Sequence, residues 1–384
     1  MDHFALRLAR LTRLLALSLP AGLAQAAPLT TNQQAFNSAF DPDYYSFSLL
    51  SSALSDFSDA ELPGIYSQLS GDTLGSYTSA LMLSDIGLSN ATLGNLRQSM
   101  DSQSTQPALW AQVGAGRQYI DGDGNAAAVR KDQRRSLIGG DLPMPGGWRL
   151  GGAIGRTEDA LDNNARDADA NTRSDSYSLY GGHDIALPGY TLRLFGGGAY
   201  STHRINSERK VGLFEEPERN KGDYDLVTQQ TFGEVALKMP LQKPGYIEPF
   251  FGLLRIEQRS DAFSERGGGL SAATVDSQHN QLLVSSFGSR ARQLFRVADR
   301  DLLVNGSLTW RHFDGDLRPE VQLKLADTSR FTVLGTEMPR SSVLLELKAD
   351  YSLTPNLILD IDYNGVFSDQ SRSHNIALNA HWKM

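Results

Sequence analysis

Eight charged residues in the C-terminal half carry the chemistry this chain could do: Arg193, Glu234, Glu248, Arg311, Glu346, Lys348, Asp360 and Asp362. Most occupy alternate positions in runs that are otherwise apolar. Val343, Leu345, Leu347, Ala349 and Tyr351 interleave with Glu346, Lys348, Asp350 and Ser352, and Leu357, Leu359, Ile361 and Tyr363 with Asp360, Asp362 and Asn364. Upstream, Val304, Gly306, Leu308 and Trp310 oppose Asn305, Ser307, Thr309 and Arg311. A period of two puts one set on each face of an extended strand. Fixed charges on one such face can hydrogen-bond a helix or a moving chain, or tune the passage of ions; a second reading is that they only solvate a polar interior. The pattern around Glu248 leaves its facing ambiguous.

Nothing in the sequence calls for catalysis. There is no HExxH, no Walker loop, no GxSxG elbow and no complete calcium loop. The run DGDGNA at 121–126 has calcium-like carboxylates but lacks the full ligand set, so it reads as a hairpin loop. The seven histidines are scattered, and His183, His312, His374 and His381 read as loop or lumen residues, not metal ligands. No nucleotide, redox or metal cofactor is implied. A formal net charge of -8 argues against a nucleic-acid partner, because no positive excess is available to displace counterions from phosphates.

The elements that must position the charges follow an informative N-terminus. Arg7, Arg10 and Arg13 precede the apolar run from Leu14 to Leu23, and Ala24, Gln25 and Ala26 form a small-residue cleavage site, so residues 1–26 are predicted to be a signal peptide. An exported chain without cysteine has no disulfide to hold it together. Beyond the signal no stretch reaches the roughly 18 apolar residues of a membrane helix. Residues 27–60 are polar, without a clear period, and are read as a short linker or residual exported segment. Residues 61–106 are read as a helix and linker: Leu69, Leu74, Tyr77, Leu81, Ile86 and Leu93 recur near helical spacing among small residues, a slim helix suited to a confined space.

From 107 to 384 the pattern changes to extended segments, approximately 108–120, 132–143, 148–158, 174–186, 190–204, 224–240, 245–258, 278–296, 301–325, 341–353, 356–367 and 372–384. Brief turns such as LQKPG and TPN alternate with long polar loops such as INSERKVGLFEEPERNKG. That asymmetry belongs to an up-and-down antiparallel sheet, and an even strand number lets first and last strands pair. A soluble sandwich would turn the apolar face inward; three features favour the inverted arrangement. Tyr351, Tyr363 and Trp382 suit a lipid interface. The run Gly196, Gly197 and Gly198 has no side chains with which to fill a soluble core. Closure into a twelve-strand cylinder leaves a lumen wide enough for one helix or water. The fold class predicted is all-β: a twelve-stranded antiparallel transmembrane β-barrel with an N-terminal α-helix in the pore.

These segments resemble the autotransporter translocator domain of type V secretion, over about 66–384. The likeness runs through QLSGDTLGSYTSALMLSD, NLRQ, the Trp110 strand, GGWRLGGAIG, DSYSLYGG, FGEV, EPFFGL, FSERGGG, LTWRHFDGD, FTVLG and LTPNLILDIDYNG, in that order. The resemblance implies a barrel at 107–384 in the outer membrane of a Gram-negative bacterium, threaded by a helix over 70–98, that exports or displays the segment N-terminal to it at the cell surface. It implies Sec export machinery, the outer-membrane barrel assembly machinery and outer-membrane lipid as partners, a monomer, and no enzyme. Ile376, Leu378, Ala380, Trp382 and Met384 match the alternating terminal signature that the assembly machinery reads, although family members end on Phe or Trp and this sequence ends on Met384. About 40 residues separate the predicted signal from the helix, too few for a long passenger, so either a short peptide is presented or the passenger was lost. Asn90 and Asn95 lie in the zone where some relatives are cut, but neither belongs to an Asn-Asn pair, and self-cleavage is not expected. The alternative function is a porin-like or structural outer-membrane barrel without a secreted passenger.

Overall fold

The computed structural model describes residues 28–40, 48–102, 104–242, 244–297 and 300–384; the predicted signal peptide lies outside them. Among the described residues four α-helices come first: α1 (Thr31–Ala39), α2 (Leu49–Leu54), α3 (Leu62–Ser70) and α4 (Asp72–Asp101). Sixteen strands follow, and twelve of them form the barrel. These are β1 (Ala108–Ile120), β2 (Val129–Pro143), β3 (Trp148–Asn163), β4 (Ala168–Leu187), β5 (Tyr190–Val211), β6 (Glu218–Pro240), β7 (Gly245–Ser260), β10 (Gln278–Val297), β11 (Arg300–Gly315), β14 (Ser341–Ser352), β15 (Leu357–Phe367) and β16 (Ser371–Lys383). All neighbours are antiparallel, and β1 closes on β16 from Ala108 opposite Lys383 to Ile120 opposite Ser371. Closure gives every barrel strand two partners, which a hydrocarbon environment requires of backbone amides.

The alternation runs as the inverted reading demands. Val304, Leu308 and Trp310 are exposed while Ser307, Thr309 and Arg311 are buried; on neighbouring strands Leu359, Ile361, Ile376 and Leu378 face out while Asp360 and Asn379 face in. Tyr363, expected at an interfacial strand end, instead sits mid-strand, where its hydroxyl meets His374 Nδ1 at 2.8 Å. The glycine run of β5 accommodates a ring: a Cβ on Gly197 would lie 2.7 Å from the inward ring of Phe232. Trp110 is likewise turned inward, and its indole N–H donates to the Tyr180 hydroxyl at 2.9 Å.

Three boundaries differ from the sequence reading. The ninth segment, expected over 301–325, breaks at Gly315, whose φ of 114° takes the chain out of the strand. Its remainder is β12 (Glu320–Lys324), which pairs with β13 (Phe331–Leu334) and β9 (Thr274–Val275); β9 pairs in turn with β8 (Phe263–Ser264). This four-stranded sheet, built from loops at the long-loop end, is separate from the barrel. Strands β4, β5 and β6 also extend beyond their expected ends toward the long loops. There the outward face carries charge, as in Arg219–Glu208 (3.1 Å) and Lys221–Glu208 (3.6 Å), so the apolar–polar alternation fades although pairing continues. Finally, the stretch 27–60 contains α1 and α2, whose Phe36 and Leu50 are fully buried.

Helix α4 occupies the lumen. At 30 residues it is about 45 Å long, enough to cross the hydrocarbon thickness. Gly71, with φ 70°, separates it from α3 by one left-handed residue. Its small hydroxyl residues bond back to the helix itself, as in Ser76 Oγ to Asp72 O (2.9 Å) and Thr92 Oγ1 to Leu88 O (3.1 Å). That satisfies buried hydroxyls in a helix with polar residues all round.

Candidate functional site

The candidate site is the lumen wall together with the helix it grips. At the short-turn end, where α4 stops, Asp101 gathers three cations and a phenol: Arg193 at 3.0 Å, Lys238 at 2.8 Å, Arg292 at 2.5 Å and the Tyr246 hydroxyl at 2.6 Å. Arg193, from β5, also reaches Glu248 at 3.1 Å and Asp184 at 3.0 Å. Glu248, from β7, meets Arg290 at 2.6 Å; Arg290 meets Glu234 at 2.5 Å, and Glu234 approaches Arg97 of the helix at 3.5 Å. Arg193 and Glu248 are both fully buried. Charges so deep are tolerated only when paired and hydrogen-bonded, and each here has more than one partner.

The opposite wall holds a second cluster. Lys348 donates to Gln98 Oε1 of the helix at 2.6 Å and lies 3.2 Å from Asp360. Asp360 also meets His381 Nε2 at 3.1 Å, and Asn379 donates to both Asp360 and Asp362, the latter at 2.9 Å. Ser99 of the helix donates to Asp141 at 2.8 Å, and Arg149 pairs with the same carboxylate. Glu346 accepts from Ser307 at 2.5 Å. Arg311 and Glu346 line one cavity, of about 240 Å³, that runs beside the helix past Gly87, Asn90, Ala91 and Gly94 toward β1, β14 and β16. Helix α4 is thus seated against one side of the lumen.

Higher on the helix the contacts change character. Asp85 meets His203 at 3.3 Å, and His203 Nδ1 lies 2.7 Å from Ser174 Oγ. Above them Tyr77, Ala80 and Leu81 pack with Ile120, Val129, Leu161, Ile205 and Leu226, an apolar collar drawn from five strands. At the mouth Gly75 and Gly335 touch backbone to backbone; a Cβ on Gly75 would meet Gly335 N at 2.8 Å. Thr336 N and Oγ1 donate to Ser76 Oγ at 3.1 and 2.8 Å, and Ser79 donates to Thr336 O at 2.8 Å. Asp72 pairs with Arg166 at 3.0 Å. The FTVLG stretch thereby folds inward to hold the top of α4.

All eight candidate charges lie on the lumen side. Arg193, Glu234 and Glu248 share a network with Asp101, Arg290 and Arg97, and Arg292, 3.5 Å from Asp350, joins it to the cluster of Lys348, Asp360 and Asp362. The sequence reading missed Asp101, Arg290 and Arg292. Asp101 did carry a signal: an acidic residue at a helix C-terminus opposes the helix dipole and so needs cations nearby. In the terminal strand Ile376, Leu378 and Trp382 face outward with Ala380 between them, and Met384, just past β16, donates its N–H to Pro107 O at 3.1 Å. Asn95 donates to Ala91 O at 2.8 Å. DGDGNA forms a loop in which Asp123 accepts from the N–H groups of Asn125 and Ala126. Among the described residues no three His, Cys, Asp or Glu side chains cluster suitably for a metal.

Residues 109–364 match the family described as the autotransporter beta-domain. Two extracellular serine proteases of Serratia marcescens are 27% identical over 359 residues and 26% identical over 371. The alignments cover 92% and 94% of this chain but 33% and 34% of the relatives, so the chain spans about a third of their length. The translocator domain of autotransporter NalP from Neisseria meningitidis is similar in fold, with TM-score 0.61 and 17% identity over 82% of this chain and 100% of that one. The transport unit of the autotransporter AIDA-I from Escherichia coli gives TM-score 0.52 and 16% identity over 72% and 90%. By its family match, its closed barrel and its threaded helix, the chain belongs to the autotransporter β-domain family.

Proposed function

We propose that this barrel exports the segment N-terminal to α4 and holds it at the cell surface. The observation that carries the reading is the direction of α4: its C-terminus is fastened at the short-turn end by Asp101, and its N-terminus opens into α1 to α3 at the long-loop end. In this reading the short turns face the periplasm, and the eight lumen charges grip the helix while offering a chain in transit a polar wall. Export and assembly draw on folding free energy with the assembly machinery, after Sec-dependent passage of the inner membrane, and membership of the family implies that general dependence. Ile376, Leu378, Ala380, Trp382 and Met384 serve as the recognition strand. The protein acts as a monomer.

An epitope placed after Ala26 tests display. With the barrel inserted, external protease on intact cells removes the epitope; an epitope that stays protected in inserted barrels overturns the reading. The cavity beside α4 is the one feature that favours a porin-like role. Deleting residues 66–98 raises the single-channel conductance of purified barrels if the helix is a plug, whereas unchanged conductance would favour an already open pore.

A further inference from the structure

Residues 28–40 and 48–54, ahead of α3, do not trail from the mouth; they are seated in a site built by the loops. Helix α1 has nine residues, too few to persist alone in water, yet it is closed by a capping box in which Gln33 N donates to Thr30 Oγ1 and Thr30 N donates to Gln33 Oε1 at 2.7 Å. One face, comprising Asn32, Gln33, Phe36 and Ala39, is buried. Phe36 meets Phe331 edge-on at 5.9 Å and Tyr66 at 5.2 Å. Around it Phe40, Leu50 and Leu54 join Val211, Leu213, Val275, Val321, Leu323 and Val333 in a single apolar cluster.

The polar contacts are as specific as the apolar ones. Asn32 behaves toward β13 as a neighbouring strand would: its Nδ2 donates to Leu334 O, and its Oδ1 accepts from Leu334 N, both at 2.8 Å. That side chain closes the free edge of the four-stranded sheet, which would otherwise present unpaired amides. Asn32 N donates to Asn125 Oδ1 at 2.7 Å, Gln33 Nε2 to Ser67 Oγ at 2.8 Å and Ser329 N to Ala39 O at 3.0 Å, so polar contacts come from two separate loops and α3. By contrast the covalent connection from Ser55 to Glu61 is exposed apart from the partly covered Phe57.

We infer that the loop sheet and α3 form a docking site whose occupant is the N-terminal segment of this same chain, and that these contacts hold the segment on the barrel without the covalent connection. A face complementary in both apolar shape and amide pairing is what a bound peptide presents to a sheet edge and an apolar groove. The site fixes the displayed segment over the mouth. It stands independently of how the segment arrived there, because it is read on purified protein.

The test replaces residues 56–60 with a site-specific protease sequence in the otherwise full chain. The folded protein is cut in detergent, diluted to low micromolar concentration and passed over a sizing column. The N-terminal piece is expected to co-elute with the barrel, and Asn32→Ala with Phe36→Ala to raise the fraction released by about tenfold, while exposed Ser38→Ala leaves it unchanged. Heat-modifiable gel mobility establishes that each barrel is closed, and Asn32→Ala alone serves if the double variant fails to fold. Complete release of the unsubstituted piece on cutting, or equal retention of the substituted one, overturns the inference.

Discussion

The two ends of α4 are fastened by different physics. At the short-turn end Asp101 sits among Arg193, Lys238, Arg292 and Tyr246, and the hold is charge against charge. At the mouth Gly75 lies against Gly335, Thr336 bridges to Ser76 and Ser79, and apolar side chains of β1 to β6 pack against Tyr77 and Leu81. The difference follows from what each end must tolerate. Near the base the helix runs past a cavity, where small hydrophobes would leave voids and long charged side chains can span the gap. At the mouth inward-folded loops fill the space, and close packing does the holding.

The contrast can be broken at either end. Asp101→Ala has the largest expected effect: it leaves Arg193, Lys238 and Arg292 facing one another, and loss of one member of a buried charge cluster costs about 3–5 kcal/mol. Faster hydrogen exchange in residues 90–101 with the collar region unchanged would place the damage at the base. Gly335→Val should cost less, about 1–3 kcal/mol from overpacking against the Gly75 backbone, with exchange rising instead over residues 72–81. The smallest effect belongs to Arg156→Gln, which removes an exposed partner of Asp175 on the outer face; a surface pair contributes about 0–1 kcal/mol. Salt sharpens the ordering, since 1 M salt shortens the screening length to about 3 Å. The Arg156–Asp175 contribution should vanish there, while the Asp101 cluster, shielded from solvent, keeps most of its strength.

Much of the barrel could be read from the sequence because its rule is simple: one face to hydrocarbon, one to a wet lumen, and short turns on one side only. Where that rule lapses the reading lapsed too. Strands β4 to β6 continue toward the long loops, where Glu208 and Arg219 face outward and the period of two loses its apolar half. Val321 and Leu323 alternate as a true strand does, but bury into the mouth cluster, and nothing local distinguishes that destination from the barrel. The pore helix was readable from Leu74, Tyr77, Leu81 and Leu93. Helix α1 was not, because its buried face is half amide: Asn32 and Gln33 look like linker residues until a sheet edge and Ser67 receive them. The eight wall charges could be sorted to the inside, but their partners could not, since Arg193, Glu248 and Asp101 meet from positions 92 and 147 residues from Asp101 along the chain.

Closure of β1 on β16 has an engineering consequence. In an open sheet the outermost strand can be trimmed and only one neighbour loses a partner. In this ring excision of any single strand would orphan two, and would also carry one terminus to the wrong side of the bilayer. Diameter can therefore change only by whole hairpins, which predicts that viable natural or designed size variants of this scaffold gain or lose strands two at a time.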